Sequence, residues 1–356
     1  MSQYTGRDHV FAAFERKFTD RVPVRIWYQG EAPMEMAFLL EDLRENPDVF
    51  AQLLIGMHYA LASDTVASIV ADPLLFAEAA GPKVGITKQA VIERVASQGG
   101  TTGLEILTDK SLFSQFDLPD LMQGERLPYH MQTLKTLSST VQDSVVDEVT
   151  IGPWTMAMTL RGTENLIYDT IDDPDFVHSL LRYCTDCAKM VDLALAQTGI
   201  GILTIGDPSS GCSVISPKMF REWSMPYLTE LITYLKERTS VKICLHICGK
   251  TDPMMEDMIA TGADAVSIDG PSSLKKMVEI SQGRTVVIGN VPTELFLPGV
   301  EMGELDVAVK ECLDVAGRGG AYILSSGCGV TGTMEHAKHF LEVGRDYGRY
   351  ERLSPS

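Results

Sequence analysis

A (β/α)₈ barrel is the fold this sequence predicts, on three observations. Eight short β-branched runs recur along the chain, the later ones alternate regularly with helix-period segments, and no Gly-rich turn follows the first run. Alternation of strand and helix implies a parallel sheet. The missing Gly-rich turn argues against the rival doubly wound open sheet, which usually carries fewer strands as well.

In chain order the runs are VPVRIW at 22–27, TVASIV at 65–70, VTI at 149–151, IGILTI at 200–205, VKICLH at 241–246, AVSI at 265–268, TVVI at 285–288 and AYIL at 321–324. Helical periodicity fills the segments 175–197, 217–238 and 305–316, with Asp, Ser or Pro signals at several starts and Gly at several ends. The stretch 81–107, containing GPKVGITKQAVIERV and TGLEIL, reads as a small β excursion inserted after the second strand. Residues 1–356 are therefore expected to form one barrel domain with that elaboration. No fixed-period repeat or low-complexity linker interrupts the pattern.

Charge narrows the functional classes. Thirty Lys and Arg against 48 Asp and Glu leave a formal net charge of −18, the wrong sign for neutralising a phosphate backbone, so nucleic acid is not an expected partner. No apolar run approaches the roughly 18 residues of a membrane span. The opening MSQYTGRDHVFAAFERK also carries charges where a signal peptide needs its apolar stretch, so a cytoplasmic location is expected. The seven cysteines, an odd number scattered through a long chain, argue for thiol chemistry or metal binding over a disulfide framework.

In a barrel of this kind the active site lies at the C-terminal ends of the strands, and the residues found there are polar. They include Asp207 and Ser209 after the fourth strand, His246 and Cys248 after the fifth, Asp269 after the sixth, Asn290 after the seventh and Cys328 after the eighth. His246 and Cys248 are two apart in an extended segment, so their side chains face the same way. With Cys328 and Asp269 they make an N/S/O donor set that zinc accepts and that thiolates render unsuitable for magnesium or calcium. The competing reading is a hydrogen-bonded histidine beside two small buried hydrophobes; placement at neighbouring strand ends favours the metal. Cys244 is in phase but one pleat deeper and belongs to the barrel core.

The pair Cys184 and Cys187 fits C-x-x-C but sits in a helical pattern and reads as packing, as do Cys212, Cys312 and the Met254, Met255, Met258 stripe. Asp207, Ser209 and Asn290 are candidates for cofactor contacts. Asp207, preceding a proline, is equally suited to form a turn or cap a helix.

At these residues the sequence resembles the uroporphyrinogen decarboxylase superfamily. The resemblance is carried by GDPSSGCSVISPKMFREWSMPYL, HICGKTDPMMEDMIATGADAVSID and YILSSGCGV, with FERKFTDRVPV, LLFAEAAGPKV and GPWTMAMTLRGTENLIYD extending it over nearly the whole chain. It is most similar to the zinc-dependent, corrinoid-linked methyltransferases of that superfamily, whose zinc motif is His-x-Cys followed far downstream by Cys.

The resemblance implies a (β/α)₈ barrel, with His246, Cys248 and Cys328 as zinc ligands and catalytic residues and Asp269 as a further ligand or a partner of His246. It also implies transfer of a methyl group from methylcobalamin, brought by a separate corrinoid protein, to a small thiol such as coenzyme M. The reverse direction, from a methyl ether or methanol to a corrinoid protein, uses the same ligands. A non-catalytic barrel with a structural zinc is the reading from another class. Porphyrinogen decarboxylation is disfavoured, because RVPVRIWYQGE offers Arg25 with only Arg21 besides, where a tetra-acidic substrate would need several basic groups.

Overall fold

The computed structural model describes residues 3–30, 46–69, 105–122 and 126–353. Its strands are β1 (Val24–Arg25), β2 (Tyr28–Gly30), β3 (Thr65–Ile69), β4 (Val145–Ile151), β5 (Ile202–Gly206), β6 (Lys242–Ile247), β7 (Ala265–Ile268), β8 (Val286–Val291), β9 (Tyr322–Ser326) and β10 (Val330–Thr331). Eight of them form one parallel sheet in the order β1-β9-β8-β7-β6-β5-β4-β3. All eight fall where the β-branched runs predict them, because barrel strands buried on both faces read as near-continuous apolar runs. The sheet curls into a nearly closed barrel. At the seam between β1 and β3, Asp64 bridges: Val24 N–H donates to its carboxylate (2.8 Å), and Asp64 N–H donates to Val24 C=O (3.0 Å).

The barrel floor is closed by the helix Gly6–Glu15, which starts in a Thr5/Asp8 capping box. Its Val10 and Ala13 pack against Val145, Ile202, Cys244, Ala265, Val286, Ile288 and Ile323, so Cys244 lines the core as expected. A second, larger core fills the space between the sheet and the surrounding helices. It includes Cys184, Cys187, Met254, Met255 and Met258, all fully buried, and burial pushes the Cys187 thiol up to about 12. The C-x-x-C pair is therefore packing, with its thiolate forms suppressed.

Three details depart from the sequence reading or fall outside it. A two-stranded parallel sheet, β2 with β10, sits beyond the ends of β1 and β9. The predicted helix 217–238 is broken into Pro217–Met219, a π-turn at Phe220–Ser224 and the helix Met225–Arg238. Pro226 explains the break, since it has no N–H for the carbonyl four residues back and its ring crowds that carbonyl. Of the β excursion at 81–107, residues 81–104 lie outside the described residues. Residues 105–107 are not a strand; Glu105 and Leu107 donate their N–H groups to Thr159 and Leu160 carbonyls.

On the outer face of β4, Glu148 meets His130 (Nε2 to Oε1, 3.2 Å) in a buried layer that also holds Asp192 of the helix Pro174–Ala196. Burial is the main cause that lifts the Asp192 carboxyl to about 8; the nearby Thr150 hydroxyl opposes it and the Glu148 charge adds to it. An acid held protonated in the folded state stabilises fully below its unfolded value of 3.8, and that contribution is lost as pH climbs toward about 8. Asp192→Asn, which stays neutral, should therefore remove a slope of about 1.4 kcal/mol per pH unit inside that window. Thermal melts of both proteins from pH 5 to 8 should diverge in favour of the variant; parallel curves would mean that Asp192 is ionised in the fold.

Candidate metal centre

The register of three strands brings the first ligand candidate into place. Gly206 of β5 pairs with His246 of β6, and His246 pairs with Ser267 of β7, so the imidazole projects into the barrel mouth. Its Nδ1 lies 3.0 Å from Ser267 Oγ, which leaves Nε2 facing Cys248 Sγ at 3.1 Å. The ring packs edge-on to Trp27, with centroids 4.7 Å apart and planes at 78°.

Cys248 continues the alternation for one more step before Gly249 turns the chain in a left-handed conformation, φ +72°. The turn is tied down by Asp269, whose Oδ2 accepts Gly249 N–H at 2.8 Å. Cys328 arrives from the end of β9 through Gly327. A Cβ there would come within 2.5 Å of Gly270 N and 2.7 Å of Asp269 Oδ1, so only glycine lets the two loops approach this closely.

The two sulfurs are 3.3 Å apart, too far for a disulfide and close enough to share a proton. All three donor atoms lie within 4.8 Å of one another. Tetrahedral zinc with bonds of about 2.0–2.3 Å needs its ligand atoms roughly 3.5–3.8 Å apart. The donor set and its spacing therefore suit zinc. The Cys328 thiol is pulled well down, chiefly by the hydrogen bond from Cys248 and then by His246, against burial and the Asp269 charge. Cys248 is pushed up by the same shared bond and by burial, so the two sulfurs resist ionising together.

The other candidate residues are placed differently. Asp269 stands beside the trio but outside it: Oδ2 holds Gly249 and Oδ1 accepts Gly270 N–H at 2.7 Å. The partner of His246 is Ser267, not Asp269. Asp207 is wholly buried, and its carboxylate accepts Thr155 N–H (2.8 Å), the Thr155 hydroxyl, Ser210 Oγ (2.6 Å) and Ser224 Oγ (3.1 Å). It thereby caps the helix Pro153–Arg161, whose own N-cap residue, Gly152, has no side chain to do so.

Ser209 lies in the same network, its N–H donating to Thr155 Oγ1 at 3.0 Å and its C=O accepting from Trp154 Nε1 at 3.2 Å. Asn290 clamps backbone, donating to Asp269 O (3.1 Å) and Ser272 O (2.8 Å). These three positions, singled out for cofactor contacts, have polar groups engaged in holding the barrel rim. Ser267 escaped the sequence reading, although its inward phase, two residues before Asp269, carried the signal.

Comparison with known proteins bears on this geometry. The profile of the family described as Uroporphyrinogen decarboxylase (URO-D) matches residues 5–347. The methylcobamide:CoM methyltransferase MtaA of Methanosarcina barkeri is 26% identical over 364 residues, covering 98% of this chain and 99% of that protein. A uroporphyrinogen decarboxylase of Xylella fastidiosa is 24% identical over 360 residues, covering 94% and 97%. Among solved structures, a methyltransferase from Methanosarcina mazei superposes with a TM-score of 0.75 at 21% identity, covering 96% and 98%, a likeness of fold.

Proposed function

The chain belongs to the uroporphyrinogen decarboxylase (URO-D) family, and we propose that within it this protein is a zinc-dependent methyltransferase of the cytoplasm that moves a methyl group from the methylcobalamin of a partner corrinoid protein to a small thiol such as coenzyme M. The observation that carries this reading is the His246, Cys248, Cys328 trio with Asp269 engaged by backbone on both oxygens. Three protein ligands leave a fourth position for substrate, the mark of a catalytic zinc as opposed to a structural one. Full-length similarity to a methylcobamide:CoM methyltransferase supports the same reading.

The decarboxylase alternative is disfavoured by the basic residues near β1. Arg25 is completely buried on Asp147 (2.6 Å), and Arg21 is bonded to Asp64 through both terminal nitrogens (2.6 and 2.7 Å), so neither can receive a porphyrin carboxylate.

A free thiol with a pKa of about 8.5 is only about 3% ionised at pH 7. Held by His246, Cys248 and Cys328, zinc would supply the Lewis acidity that keeps a substrate thiol deprotonated. The chain's own part is to keep the donors ready. Ser267 directs Nε2 of His246 toward the sulfurs, Asp269 fixes the turn behind Cys248, and the hydrogen bond between Cys248 and Cys328 holds the two sulfurs 3.3 Å apart. In the transfer the sulfur–methyl bond forms as the cobalt–carbon bond breaks, its electron pair stays on cobalt, and the thiol proton leaves to solvent.

X-ray absorption at the zinc edge, with and without candidate thiols, tests this directly. An added sulfur neighbour on thiol binding, together with methyl transfer from free methylcobalamin to that thiol, is the expected result. If no thiol enters the coordination sphere while a methyl ether or alcohol supports methylation of cob(I)alamin, the direction is reversed.

A further inference from the structure

Inside the barrel, one layer below His246, lies a fully buried ion pair. Arg25 on β1 and Asp147 on β4 are both 0% exposed and meet at 2.6 Å. Asp147 is well satisfied, accepting Thr204 Oγ1 at 2.8 Å and Trp27 Nε1 at 3.4 Å. Arg25 is not. Beyond Asp147 it makes one long bond to Thr204 Oγ1 (3.4 Å), and its buried Nε and Nη1 have no hydrogen-bond partner among the described residues. A buried pair with orphaned donors is a net burden on stability, and apolar residues of similar volume generally do as well or better in its place.

What the pair does hold is Trp27. The Arg25 guanidinium carbon sits 4.1 Å from the indole centroid, over the ring, while Asp147 takes the indole N–H. Gripped on its face and at its nitrogen, the indole has little freedom to rotate, and it is this ring that packs against the His246 imidazole at 4.7 Å. Ser267 fixes His246 from one side, and Trp27 is the wall against which the ring rests. A ligand imidazole held at both places keeps Nε2 aimed at the two sulfurs, and outer contacts of this kind tune metal affinity by about 10–100-fold.

We propose that Arg25 and Asp147 are positioning residues for the metal centre, acting through Trp27 to fix the orientation of His246. The inference rests on His246 being a metal ligand. Its test separates the two, using Co(II) in place of zinc for both affinity and the ligand-field spectrum. The first variant is Arg25→Met with Asp147→Asn, which removes both charges, keeps volume and leaves an acceptor for Trp27 and Thr204. The second is Trp27→Leu, which leaves the ion pair intact and removes only the ring.

Both are expected to weaken Co(II) binding by about 10-fold or more and to shift its spectrum. The charge-free double variant should melt no lower than the wild type, and Arg25→Lys should restore part of the affinity. If the wild type binds no Co(II), the metal reading fails and this inference with it. If the wild type binds and the folded variants match it in affinity and spectrum, the metal reading stands and the positioning role is wrong. Should the double variant not fold, the folded single variants Arg25→Met and Asp147→Asn, read against Trp27→Leu, decide: wild-type affinity and spectrum in both would overturn the positioning role.

Discussion

Cys328→Ala is expected to lose its zinc and its methyl-transfer activity together. Two of the three candidate donors are cysteine sulfurs, 3.3 Å apart, and Cys328 is one of them. Without it, only His246 and Cys248 remain of the three donors, too few protein ligands to hold zinc tightly. Metal affinity should fall by more than the roughly 10–100-fold that outer contacts cost.

Turnover at pH 7 should fall by at least about 30-fold, since an unassisted thiol is only about 3% ionised there. Cys248→Ala should behave in the same way. The fold should survive both changes, because these sulfurs sit at the rim and not in either apolar core. Elemental analysis of protein purified without chelator, read beside activity and a thermal melt, makes the comparison. Either variant retaining full zinc would remove that cysteine from the site.

Asp207→Ala is the substitution expected to cost most in stability. It deletes a fully buried carboxylate and leaves the Thr155 N–H and the Thr155, Ser210 and Ser224 hydroxyls without their acceptor. Each unsatisfied buried donor costs about 1–3 kcal/mol, and the Thr155 N–H stands at a helix end with no other cap. A total loss of about 3–5 kcal/mol is expected, allowing for partial relaxation, with Tm lower by roughly 5–10 °C. Asp207→Asn keeps an acceptor oxygen and should lose less. If instead Asp207→Ala melts like the wild type and loses activity alone, the residue belongs to the reacting site and not to the rim.

Much of the architecture is legible in the order of residues along the chain. Strands buried on both faces leave a local record, β-branched runs a few residues long, and the period of two puts His246 and Cys248 on one face without reference to anything distant. The eight-strand count then places Cys328 at the same end of the barrel. Those inferences need only local periodicity and the rule that sites gather at strand C-termini.

The partners of the polar residues were decided by tertiary structure. Asp207 and Asp269 directly follow β5 and β7 and Asn290 lies near the end of β8, and as residue types each could ligate, cap or contact substrate. Which one it does depends on the backbone groups and hydroxyls that neighbouring loops present: Thr155 and Ser224 for Asp207, Gly249 and Gly270 for Asp269, Ser272 for Asn290. The same holds for Ser267, which became the partner of His246 through strand register, and for Arg25, which read as a stray basic residue and is paired across the barrel with Asp147. Periodicity specifies the face on which a side chain lies. A hydrogen bond or ion pair is a short-range, directional contact between groups distant in sequence, so its partner exists only once the chain has closed.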